Sequence, residues 1–133
     1  MEAVIGATSF SSATVSNANT ASALGSGSLP VFATPAMVAL MENAAAKCTN
    51  QFLDKDHTSV GISMNIEHIS ATPIGMMVTA TAELTDFDGK ILTFKVSAKD
   101  EVGEIGYGVH KRAVVDSSKF LCRTKSKKDK VQK

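Results

Sequence analysis

The chain has 133 residues, of which 44% are hydrophobic and 20% charged, with a net charge of +1; this predicts one ordinary globular domain whose core needs no covalent staple. Cys48 and Cys122 are far apart and form no CxxC pair, which argues against a disulfide framework or zinc knuckle and for reduced thiols in a cytosol. Residues 3–41 carry no charge, but they are rich in Ser, Thr, Asn and Gly and hold no apolar run near the ~18 residues that span a bilayer; Glu2 stands where a signal segment would be basic.

The charge is uneven. Residues 1–118 hold 7 basic against 12 acidic side chains, and residues 119–133 hold 7 against 1. The body is acidic, and the lysines of the tail, Lys125, Lys127, Lys128, Lys130 and Lys133, have no aromatics beside them. That pattern predicts a domain over residues 1–120 followed by a basic, solvated and disordered tail over 121–133, with neither a nucleic acid nor a membrane as partner.

In chain order, Gly6 to Ser16 suits an edge strand, and the stretch Leu24–Pro30 (LGSGSLP) reads as a turn. Thr34-Pro35 then announces a helix, with Thr34 as the N-cap and Pro35 as its first residue, and no Gly or Pro follows through Leu53. Met37, Val38, Leu40, Met41, Ala44, Ala45, Cys48 and Phe52 cover nearly its whole circumference, so this helix is expected to be enclosed. After Asp54-Lys55-Asp56 the period changes to two. Val60, Ile62, Met64 and Ile66 predict a half-buried strand, as do Met76, Val78, Ala80, Ala82 and Leu84. Asp88-Gly89 is a tight turn into the strand of Leu92, Phe94, Val96 and Ala98, and Gly103 marks another turn before a last strand from Ile105 to Asp116. In that strand Gly106 and Gly108 leave one face bare. Strand, buried helix and four consecutive strands make an α+β domain.

Glu42 is the only charged residue between Glu2 and Lys47, in the middle of an otherwise apolar helix. Such a carboxylate is tuned for acid–base work, lies on the helix's one solvated edge, or pairs with a strand residue for structural reasons. His68 shares strand parity with Val60 to Ile66 and so faces the helix, where an imidazole can pair with Glu42. Thr34, beside a helix N-terminus able to hold an oxyanion, is a cap with a possible second use. His57 reads as solvated, and His110 with Arg112 as either an anion contact or a surface pair. No nucleophile elbow, phosphate loop or HExxH helix is present.

The segments GSGSLPVFATPAMVALMENAA, SVG at Ser59–Gly61, NIEHISATPIGM at Asn65–Met76 and IGYGVHKRAVVDSSKF at Ile105–Phe120 resemble the fluoroacetyl-CoA thioesterase-like family of hotdog-fold proteins. The resemblance implies a long central helix wrapped by an antiparallel sheet of about five strands, assembled as a homodimer with the site at the subunit interface. It implies a cytoplasmic acyl-CoA thioesterase acting on a small or medium acyl-CoA with no metal or cofactor; the alternative is a non-hydrolytic acyl-CoA binding or sensing module. The family's catalytic Thr, Glu and His fall on Thr34, Glu42 and His68, and its substrate-contacting Gly and Arg on Gly61 and Arg112. The fluoroacetate-specific member has an aromatic gate before the helix, where this chain reads Gly27-Ser28-Leu29.

Overall fold

The computed structural model describes residues 1–131. Five strands, β1 (Thr8–Thr14), β2 (His57–His68), β3 (Met77–Phe87), β4 (Ile91–Lys99) and β5 (Glu104–Asp116), form one antiparallel sheet in the order β1-β3-β4-β5-β2. A four-residue helix, α1 (Ala21–Leu24), precedes the long helix α2 (Thr34–Asn50), which lies across the sheet, chiefly over β1 and β3. This is the hotdog arrangement. β1 is an edge strand, as its composition predicts, and α1 occupies a stretch too short for a 3.6-residue period to register.

The core follows from two periodicities. Val78, Ala80, Ala82 and Leu84 of β3 alternate with Leu92, Phe94, Val96 and Ala98 of β4 on the inner face, and all but the 2% exposed Ala98 are completely inaccessible. Met37, Met41, Ala44, Ala45 and Cys48 form the stripe of α2 that meets them. Alanines on both helix and sheet leave little side-chain thickness between the two. Truncating the bulk that remains is costly: Met41→Ala is expected to lower the unfolding free energy by about 2–5 kcal/mol in a denaturant titration. A loss below about 1 kcal/mol would mean the helix does not rest on this stripe.

The hairpin at Asp88-Gly89 is built as its sequence predicts: Gly89 has φ 101°, and Asp88 Oδ1 accepts from Lys90 N at 3.0 Å and Ile91 N at 2.7 Å. Three other expectations change. β2 does not keep one parity, because Gly61 pairs with Arg112 and Ser63 with Lys111, leaving Ile62 as an extra residue in a β-bulge. Ser59 and Gly61 therefore share the inner side with Met64, Ile66 and His68, while Ile62 is 52% exposed.

The helix is not enclosed by its own chain either. Ala39, Asn43 and Lys47 are exposed, because one sheet covers only one side of α2. Finally, residues 117–130 are helical, with α3 (Ser117–Lys125) followed by a 3-10 turn (Ser126–Lys130), where a disordered tail was expected from residue 121. Asp116 caps α3 by accepting from Lys119 N, and Arg123 and Lys125 in the last turn oppose its dipole. No residue of either segment is buried, so the segment is solvated as its charge implies. Gln132 and Lys133 of that tail lie outside the described residues.

Candidate active site

Two clusters of polar side chains stand on α2, about two turns apart. The first is at its start. Ala33, not Thr34, is the N-cap, and it makes no side-chain cap; Thr34 is the first helical residue. Its hydroxyl is engaged elsewhere, 2.7 Å from His68 Nδ1. The last residues of β2 bring His68 there, on the inner side with Met64 and Ile66 beyond the bulge. Burial holds the His68 imidazole below its usual pKa, against an opposing contribution from the Ser70 backbone. Its Nε2 is buried and has no hydrogen-bond partner among the described residues. Thr34 and His68 line a cavity of about 290 Å³ whose other walls include Ala21, Ser26, Val31 and Ile69. A hydroxyl, an imidazole with one nitrogen open and the first N–H groups of a helix together suit a developing oxyanion and a proton transfer.

The second cluster surrounds Glu42. Arg112 Nη1 lies 3.5 Å from Glu42 Oε2 and His110 Nε2 3.9 Å from it. The Glu42 side chain is 42% exposed, so the solvated edge and the charge partner both hold in the single chain. Arg112 is 7% exposed and is tied to β2, donating from Nε to Ser59 Oγ at 2.8 Å and from Nη2 to Ser59 O at 3.0 Å. A Cβ on Gly61 would overlap Glu42 Oε2 and lie 3.2 Å from His110 Cε1.

The expected pairing of Glu42 with His68 is thus replaced by two separate ones, Thr34 with His68 and Glu42 with Arg112. His110 and Arg112 are not a surface pair: His110 is 1% exposed. Nor is the glycine face of β5 bare, since a Cβ on Gly106 would lie 2.6 Å from Met37 Sδ. The helix fills it at Gly106, and Asn65 and Ile66 of β2 fill it at Gly108. The parity that joins His110 and Arg112 to Gly106 was the available signal that both point inward, because glycines across from a helix mark close approach.

Residues 15–118 match the family described as fluoroacetyl-CoA-specific thioesterase. The fluoroacetyl-CoA thioesterase of Streptantibioticus cattleyicolor is 43% identical over 97 residues, covering 73% of this chain and 70% of that protein. The chain belongs to the fluoroacetyl-CoA-specific thioesterase family. The fluoroacetyl-CoA thioesterase FlK superposes with a TM-score of 0.89 at 34% identity over 96% of this chain and 98% of that one. A variant of FlK in complex with fluoroacetate and CoA superposes with a TM-score of 0.83 at 36% identity, covering 88% and 98% respectively. As a member of this family the chain is a thioester hydrolase.

Proposed function

We propose that the protein hydrolyses small to medium acyl-CoA thioesters, with Thr34, His68 and Glu42 as catalytic residues and Gly61 and Arg112 at the substrate. The observation that carries this reading is the 2.7 Å Thr34–His68 pair at the start of α2, on the wall of a cavity. The thioester carbonyl would sit at the helix N-terminus, where Thr34 and the first N–H groups stabilise the oxyanion. Glu42, steadied by Arg112, takes a proton from water; the water oxygen bonds to the carbonyl carbon, the C–S bond breaks, and the sulfur leaves as CoA thiolate to be protonated. Gly61 leaves room for the carboxylate. Ala21, Ser26 and Phe32 line the cavity but no aromatic stands at Gly27-Ser28-Leu29, so the fluoroacetyl specificity of the relative is not carried over. Release of CoA, followed with a thiol reagent over a panel of acyl-CoAs, tests the reading; tight binding with no turnover across the panel would replace it with a sensing module.

The working unit in this proposal is a homodimer in the cytosol. Thr34 and Glu42 are eight residues apart, about 12 Å of rise and some 80° of rotation, too far to act on one carbonyl within one helix. β2 is an edge strand with one side open, and the far side of α2 is uncovered, so a second copy can complete both. Both cysteines are free thiols, in keeping with a reducing compartment. With antiparallel helices, Thr34 of one subunit works with Glu42 of the other. Mixing Thr34→Ala and Glu42→Ala proteins under verified subunit exchange should then restore about a quarter of wild-type activity, since half the dimers are mixed and each has one intact site. No recovery would place both residues in one chain's site.

The lowered pKa of His68 sets the acid limb. With Nδ1–H donating to the Thr34 oxygen, the Thr34 proton is free for the oxyanion and the ring's lone pair is on Nε2; protonation there removes the basic nitrogen. Activity is therefore present in full at neutral pH and is lost only as pH falls through a value below that of a free imidazole. A kcat/KM profile whose acid midpoint lies at or above the free-imidazole value contradicts this assignment.

A further inference from the structure

His110 has no part in the proposed chemistry, yet it is buried between the groups that perform it. Its Nδ1 lies 2.8 Å from Ser63 O. A carbonyl only accepts, so Nδ1 carries the proton. Nε2 lies 3.1 Å from Arg112 Nη1. A guanidinium only donates, so Nε2 offers its lone pair. Both contacts select one neutral tautomer, with the proton on Nδ1. Glu42, 3.9 Å from the same nitrogen, is then not an ion partner of His110. The groups facing the ring are Ser63 from β2, Phe94 from β4 with ring centroids 6.5 Å apart, Glu42 from α2 and Arg112 on its own strand. Burial lowers the pKa of His110 and Arg112 lowers it further, against the Ser63 carbonyl and Glu42.

We propose that His110 is a positioning residue: as a neutral acceptor it fixes the Arg112 guanidinium so that Nη1 is aimed at the Glu42 carboxylate. Ser59 holds Nε and Nη2, and His110 takes one of the two Nη1 protons, so the group cannot rotate. Neutrality matters as much as geometry. A carboxylate at position 110 would neutralise Arg112 and compete with Glu42, and a cation would repel it; an uncharged lone pair orients the guanidinium and leaves its whole charge for Glu42. This proposal rests on Glu42 acting in the reaction, but its first test does not.

In the wild-type chain, long-range proton–nitrogen correlation spectra of the histidine rings should give His110 a protonated Nδ1 and a bare Nε2, unchanged as pH falls past the point where a free imidazole titrates. A proton on Nε2 at neutral pH overturns the proposal, because that nitrogen could no longer accept from Arg112. In kinetics, His110→Asn keeps a donor for Ser63 but its carbonyl oxygen is too short to reach Arg112 Nη1, so kcat should fall about 100-fold with KM nearly unchanged, the effect of a misaimed group. His110→Gln carries a carbonyl far enough out to reach Arg112 and should recover at least tenfold of that loss. A folded Asn variant with wild-type kcat, or a Gln variant no better than Asn, refutes the role. Should neither variant fold, the nitrogen spectrum decides alone. Should the wild type hydrolyse no acyl-CoA, the proposed function falls while the tautomer is still read.

Discussion

Glu42→Gln is expected to lower kcat for CoA release by about 10²–10⁴-fold, the contribution of a positioned acid–base group. The amide is nearly the size of the carboxylate, and Glu42 is partly exposed, so the fold should survive. What is removed is the negative charge that faces Arg112 Nη1 at 3.5 Å and the basicity needed to take a proton from water. The measurement is kcat with a saturating acyl-CoA, alongside a thermal melt to show that the variant is folded. A kcat within threefold of wild type would remove Glu42 from the chemistry and leave it a structural partner of Arg112.

Gly61→Ala should have a comparable effect on rate by a different route. The added methyl overlaps Glu42 Oε2, lies 3.2 Å from His110 Cε1 and approaches Arg112 Nη1 to 3.5 Å. The overlapped atom is the far end of a flexible side chain, so Glu42 can swing aside and the strand need not deform. Gly61 does not have a positive φ, and alanine fits its backbone. Stability should therefore change little, whereas kcat should drop about 100-fold, because a displaced group near the reacting atoms is costly in rate. A variant that loses several degrees of Tm while keeping kcat would show that the glycine serves packing instead.

The contrast between these positions illustrates what a linear sequence exposes. The alternation Val78–Leu84, the alternation Leu92–Ala98 and the unbroken helix after Pro35 are legible because burial on one face demands a period, and the period is visible in residue types. Thr34, Glu42, His68 and Arg112 stand out in the sequence as candidates by their chemistry, and Gly61 by family resemblance alone, but their partners do not stand out. Pairing depends on which way each side chain points, and at β2 that direction changes at Ile62, one extra residue that no composition or period announces. His110 is a different case: its parity with Arg112 and Gly106 was legible, but not that the helix closes over that face and buries it. The helical tail was hidden for another reason. A segment that buries nothing has no apolar repeat to read, and here the cap at Asp116 and the cations at its end define the helix.

The bulge at Ile62 also bears on what can join the molecule. β2 is one border of the sheet and twelve residues long, the kind of border along which regular strands add without limit. A foreign strand of even pleat that lay in step with His57–Gly61 would fall out of step beyond Ile62, and the converse holds from the other end. Only short stretches of pairing are open to it. An irregularity that lets both halves of this strand face the helix therefore also guards its open side against fibre-like growth, and a subunit that docks there must do so in a single register.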